Sequence, residues 1–176
     1  MPDLRHICFA HGKESGPWGT KIRALAEVAR GLGWTAESLD YQGMDDPHAR
    51  VDRLATYCRG HRQAMALAGS SMGGFVVAAV AAQLPVRGLF LMAPAFYVPD
   101  YESCVPPPPD CPVTIVHGWR DDVVSWESSV RYAAQSRARL TLVDGDHRLT
   151  ANLPDLTRLF GMFLLELDQE HQEVPQ

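Results

Sequence analysis

No run of this sequence is long enough to span a membrane as a helix: the longest uninterrupted apolar stretch, Phe75 to Ala82, falls far short of the roughly 20 residues required. Positive charge is not in excess either. The net charge is −5, which leaves no electrostatic footprint for nucleic acid or an anionic membrane surface. Cysteine is sparse, and Cys8, Cys58, Cys104 and Cys111 show no C-x-x-C spacing, which excludes a zinc ribbon or a thioredoxin motif. Histidines occur without H-x-H or H-E-x-x-H spacing, so no metal is expected. The glycine-rich stretch Gly69 to Gly74 lacks the lysine of a P-loop and the spacing of a dinucleotide fingerprint, so no nucleotide cofactor is expected. No signal-peptide pattern opens the chain, and a cytoplasmic protein with free thiols is the expectation. Cys104 and Cys111 share one loop and are the only pair worth suspecting of a disulfide. No internal repeat is visible.

What is present suits one globular domain over 1–176. With 176 residues, 46% hydrophobic and 21% charged, the chain can bury a full core without a disulfide or metal staple. Six apolar runs read as strands: Leu4 to Ala10, Thr35 to Leu39, Ala64 to Ala68, Leu89 to Met92, Val113 to Val116 and Leu140 to Val143. Most are apolar on both faces, as a parallel sheet covered by helices requires. Helical periods lie between them. Ile22, Leu25, Ala26, Ala29 and Leu32 form one face, with Gly33 as a stop. Asp46 and Pro47 open a second helix that Gly60 closes, with Val51, Leu54, Ala55 and Cys58 as its stripe. A third, after Gly73, is apolar nearly all round and reads as deeply buried. A fourth covers Glu127 to Arg137, and a fifth starts near Pro154. Residues 169–176 read as a polar, frayed tail. Repeated strand–helix alternation predicts an α/β three-layer sandwich with a mostly parallel central sheet of about six strands. Proline-rich Ala93 to Pro112 can be neither helix interior nor central strand and reads as a long loop at the carboxyl edge.

Ligands bind such sheets beyond the carboxyl ends of the strands, so chemistry is sought there. After the third strand stands Gly69-Ser70-Ser71-Met72-Gly73, a G-x-S-x-G pattern between an apolar strand and an apolar helix. A sharp turn there strains the serine backbone and crowds the flanking positions unless they are glycine. It lifts the Ser71 hydroxyl to the sheet edge. A serine hydroxyl needs a base, and His147 lies in the turn after the last strand. The base needs an orienting acid, and Asp121 and Asp122 follow the fifth strand. Either aspartate could serve as a helix cap; the chain order serine, acid, histidine at successive strand ends favours the catalytic role. The loop after the first strand, His11-Gly12-Lys13, can offer a backbone N–H to an oxyanion, with Met72 supplying the other. Trp18, Phe96, Tyr97, Trp119 and Trp126 lie near strand ends and could line an acyl pocket, although plain packing explains about half of such residues. His11 and His117 read as buried, hydrogen-bonded braces.

The segments Phe9-Ala10-His11-Gly12, Gly69 to Gly74, His117-Gly118-Trp119-Arg120-Asp121-Asp122-Val123-Val124 and Gly145-Asp146-His147 together resemble the α/β-hydrolase superfamily, most closely its small, lidless bacterial esterases. The likeness spans nearly the whole chain. It implies that Ser71, Asp121 and His147 are catalytic, with the acid at Asp121 rather than Asp122. It also implies that the N–H groups of Lys13 and Met72 form the oxyanion hole. Three departures stand out: Ser125 replaces the usual proline after the Val-Val pair, the leading antiparallel strands are missing, and there is no room for a cap domain.

The expected activity is hydrolysis of a carboxylic ester or thioester of a small acyl substrate through an acyl-enzyme, without cofactor or metal. The expected partner is that small molecule, with no nucleic acid and no membrane. The alternatives are a catalytically silent binding module on the same fold, or acyl transfer, C–C hydrolysis or perhydrolysis by the same three residues.

Overall fold

The computed structural model describes residues 5–99 and 104–172. Six strands, β1 (His6–Ala10), β2 (Thr35–Leu39), β3 (Ala66–Ser70), β4 (Gly88–Met92), β5 (Val113–Gly118) and β6 (Arg139–Val143), form one sheet in the order β2-β1-β3-β4-β5-β6. All five pairings are parallel, and five helices connect the strands or follow the last: α1 (Thr20–Gly31), α2 (Pro47–Arg59), α3 (Met72–Ala81), α4 (Trp126–Ser136) and α5 (Leu153–Gln172).

Side-chain alternation divides the core into two layers. Cys8, Ala10, Leu67, Leu89, Leu91 and Ile115 pack with the α2, α3 and α4 layer, whereas Ile7, Phe9, Ala68, Phe90, Met92 and Val116 pack with α1 and α5. Burying each of the larger side chains contributes about 1.5–3 kcal/mol. The central strands β3, β4 and β5 are buried on both faces, while the edge strand β2 exposes Thr35 and Glu37.

Helix ends follow local chemistry. Asp46 Oδ1 accepts the His48 N–H at 3.0 Å and Pro47 occupies the first turn of α2. α4 begins at Trp126, one residue before the expected Glu127, because Ser125 Oγ accepts the Glu127 N–H at 3.3 Å. Arg137, with φ 56°, ends it. The last helix continues past the point where fraying was expected. Arg5 and Arg87 reach Asp168 at 3.3 and 3.9 Å, and Arg87 donates to the Leu167 carbonyl at 2.8 Å, which ties down this end. α5 therefore runs to Gln172, and residues 173–176 of the expected tail lie outside the described residues. No α-helix or strand occurs between Met92 and Val113 among the described residues; residues 100–103 of that loop are outside them.

Among the described residues no disulfide is present, and burial, followed by the Asp110 charge, pushes the Cys111 thiol up to about 12. No helix among these residues is long and apolar enough to cross a membrane.

The strand order positions the site. The chain moves outward from β1 to β2, then returns past β1 to build β3. The carboxyl ends of β1 and β3 therefore border the crevice where the winding reverses, which is where open α/β sheets bind ligands.

Candidate active site

Ser71 stands alone between the end of β3 and the start of α3, at φ 55° and ψ −119°. A non-glycine residue held there costs on the order of 1–3 kcal/mol, so its surroundings must enforce it. The Ser71 N–H donates to the Met92 carbonyl at 3.0 Å, and the Ser71 carbonyl accepts from Ala95 at 2.9 Å. The turn closes only because its flanks are bare. A Cβ on Gly69 would sit 2.2 Å from the Gly73 carbonyl oxygen, and one on Gly73 would sit 2.0 Å from that of Ala10.

The β6–α5 loop brings His147 to this serine, with Nε2 3.0 Å from Ser71 Oγ. Asp146 shapes the loop by accepting the Arg148 and Leu149 N–H groups at 3.1 and 3.0 Å. His147 Nδ1 lies 2.7 Å from Asp121 Oδ2. An ionised carboxylate only accepts, so Nδ1 carries the proton and Nε2 is free to accept from the Ser71 hydroxyl. The two loops are pressed together: a Cβ on Gly118 would lie 2.2 Å from the Gly145 carbonyl oxygen, so glycine is required where β5 leaves the sheet.

Asp121 is wholly buried at its side chain and saturated with donors. Oδ1 accepts the Val123 and Val124 N–H groups at 2.9 and 2.8 Å. Oδ2 is also met by His117 Nε2 at 2.9 Å. Burial drives this carboxyl's pKa upward. The hydrogen bonds from His117, His147, Val124 and Val123 outweigh that and hold it well below the usual carboxylate range. Asp122 instead faces solvent. His117 itself is buried, with Nδ1 2.7 Å from Ser129 Oγ and Nε2 3.0 Å from the Val124 carbonyl.

The loop after β1 lies against the same serine: a Cβ on Gly12 would be 3.5 Å from Ser71 Cβ. Its orientation is fixed from behind. The Gly12 carbonyl accepts from His11 Nδ1 at 2.7 Å and from an Arg50 guanidinium nitrogen at 3.3 Å, while the same nitrogen holds the His11 carbonyl at 3.1 Å. In a trans peptide the N–H opposes the C=O. The Lys13 N–H therefore points away from Arg50, and no intramolecular acceptor meets it among the described residues. Met72, first residue of α3, also keeps an N–H that the helix cannot use. His11 Nε2 accepts the Tyr41 N–H at 2.9 Å, and burial lowers its pKa, so it braces the loop as a neutral ring.

The five aromatic candidates scatter. Phe96 is fully buried in the core, 4.2 Å from the Tyr132 ring centroid. Trp18 is half-buried beneath Arg30 and Tyr97 beneath Arg131. Trp119 and Trp126 pack edge-on at 4.8 Å, with Trp119 half exposed. Two residues at the site escaped the sequence reading. Arg50 shares the helical face of Leu54 and Cys58, and Lys21 lies four residues before Leu25. A cation on an apolar stripe was the available signal for each.

No protein-family model and no curated protein matches this chain. Solved structures do. A protein of Xanthomonas campestris pv. campestris, named for the alpha/beta hydrolase superfamily, is 36% identical over 92% of this chain and 98% of its own, with a TM-score of 0.85. This chain belongs to the α/β-hydrolase superfamily. Est1E from Butyrivibrio proteoclasticus (20% identity, 94% of this chain, 89% of its own, TM-score 0.80) shares the fold. So does mouse alpha/beta hydrolase domain-containing protein 10 (22%, 94%, 91%, 0.81). As an α/β-hydrolase this chain is a small form: among the described residues the sheet is entirely parallel and no cap interrupts it. The serine that replaces the superfamily's proline after Val123-Val124 has become the cap of α4.

Proposed function

We propose that this α/β-hydrolase is a serine hydrolase that cleaves a carboxylic ester or thioester of a small acyl substrate. The observation that carries the reading is the hydrogen-bonded series Ser71 Oγ–His147 Nε2 at 3.0 Å and His147 Nδ1–Asp121 Oδ2 at 2.7 Å, mounted on a strained serine turn. In the first step Ser71 Oγ attacks the carbonyl carbon while His147 Nε2 takes its proton. Asp121 holds the imidazole in the useful tautomer and stabilises the imidazolium. The oxyanion rests on the N–H groups of Met72 and Lys13, each worth about 10²–10³ in rate in comparable sites. Collapse of the tetrahedral intermediate expels the alcohol or thiol, which takes the proton from His147. Water, deprotonated by His147, then attacks the acyl-enzyme. The acid leaves and the Ser71 hydroxyl is restored.

The test pairs the parent with Ser71→Ala on short p-nitrophenyl esters, and labels both with a fluorophosphonate. The parent is expected to hydrolyse and to be labelled, the variant to do neither. Equal hydrolysis by both proteins would sink the assignment. A parent that resists labelling would point to a silent binding module.

A further inference from the structure

The chain holds its positive charge almost wholly as arginine; Lys13 and Lys21 are its only lysines, and both lie within the stretch from the β1 loop to the first turn of α1. Lys21 is partly buried and reaches the end of β3, where Nζ donates to Ser70 Oγ at 2.8 Å. Ser70 immediately precedes the nucleophile candidate. By strand alternation from Ala68 it faces the α1 and α5 layer, the side from which the His147 loop descends.

An ammonium has three N–H donors, and Ser70 accounts for one. Among the described residues no other acceptor meets Lys21 Nζ, and no carboxylate oxygen comes within 4.0 Å of it. The acidic charges that act on it from further away are committed elsewhere. Asp146 Oδ1 caps its own turn, and both Asp121 oxygens are taken by His147, His117, Val123 and Val124. The first turn of α1 contributes no acid. The Ser70 hydroxyl accepts from Lys21, and its own proton finds no acceptor among the described residues. Two N–H groups and one O–H thus remain unused beside Ser71. Burial pulls the Lys21 pKa down to about 8, against the upward pull of Asp146 and then Asp121. A positive charge partly withdrawn from water without a close counter-ion is costly, and the complement of unused donors around one cation is a group that only accepts.

We infer that Lys21 and Ser70 form an anion subsite that takes a carboxylate of the substrate, so that the preferred substrates are esters or thioesters bearing a free carboxylate. One ammonium and one hydroxyl can each donate to one of the two oxygens of a carboxylate. This assignment rests on the hydrolase reading of Ser71 and extends it to the substrate.

The experiment compares matched pairs: 4-acetoxybenzoate against 4-acetoxybenzamide, which differ on the leaving group, and the 4-nitrophenyl monoester of adipate against 4-nitrophenyl hexanoate, which differ on the acyl chain. The quantity read is the ratio of kcat/KM, anionic over neutral. The parent is expected to favour the carboxylate in at least one pair by about tenfold or more, the scale of a charge-assisted hydrogen bond. That ratio should collapse toward unity in Lys21→Met, fall in Ser70→Ala, and be partly kept in Lys21→Arg. In the parent it should hold below about pH 8 and fall above it, as the amine loses its proton. Both members of a pair share the same chemistry at Ser71, so the ratio removes changes in the reaction itself, and the negative charges of Asp121 and Asp146 would disfavour an anionic substrate rather than create the preference. A parent without preference for the carboxylate overturns the inference whatever the variants do, as does an undiminished preference in folded Lys21→Met. Neutral esters hydrolysed by the parent and not by Ser71→Ala would leave the serine hydrolase reading standing in that case. Absence of any Ser71-dependent hydrolysis would remove both.

Discussion

His117 and His147 address the same oxygen: Asp121 Oδ2 is 2.9 Å from His117 Nε2 and 2.7 Å from His147 Nδ1. One carboxylate is thus clamped between a buried histidine on the strand that delivers it and the histidine that faces Ser71. With Oδ1 bound by two backbone N–H groups, its rotation is blocked, and so is the tautomer of His147.

Asp121→Asn should lower kcat on a short p-nitrophenyl ester by about 10³–10⁴, since an amide can present its N–H to Nδ1 and favour the wrong tautomer. Asp122→Asn, at an exposed carboxylate, should stay within about twofold of the parent. Steady-state kinetics on the two variants give the ranking, and the reverse order would move the acid by one residue.

The same carboxylate couples stability to acid. Its folded pKa is depressed below the ordinary value of 3.8. The stability it contributes is therefore complete above that value and is lost as pH falls below it toward the folded pKa. Urea midpoints should show the parent's advantage over Asp121→Asn at pH 6 shrinking by pH 3. His117→Phe removes one donor to Oδ2, so it should raise the Asp121 pKa and weaken this acid dependence.

Arg50→Met should free the carbonyls of His11 and Gly12 and let the Gly12–Lys13 peptide reorient. Losing one oxyanion donor implies a fall in kcat of about 10²–10³ with a much smaller change in KM. Arg50→Lys should recover part of it. A loss confined to KM would show that Arg50 does not orient this peptide.

Gly73→Ala should be among the worst single changes, because the added methyl would meet the Ala10 carbonyl oxygen at 2.0 Å. A destabilisation of about 3 kcal/mol or more is expected. Ser125→Ala should cost about 1 kcal/mol through loss of the α4 cap, and Ser125→Pro less, because φ −57° suits the proline ring and its restriction of the unfolded chain offsets part of the lost cap. Thermal or urea unfolding of the three proteins tests the order.

Local patterns in the chain determined a good deal. Strand runs apolar on both faces announced a covered parallel sheet, and Asp46-Pro47 and Gly69 to Gly73 marked their turns, because each reports an interaction made within a few residues. The order serine, acid, histidine put Ser71, Asp121 and His147 at strand ends. Choosing Asp121 over Asp122 needed the resemblance, and the direction each side chain takes is now visible in the structure. What only tertiary packing decided involves partners remote in sequence. Arg50 is 38 residues from the Gly12 carbonyl it holds, and Lys21 is 49 from the Ser70 hydroxyl. Phe96, equally plausible as pocket or core, was consigned to the core by the Tyr132 ring. Periodicity says which face of an element is buried, but a buried polar group takes its meaning from the atom it meets, and that atom is supplied by the fold.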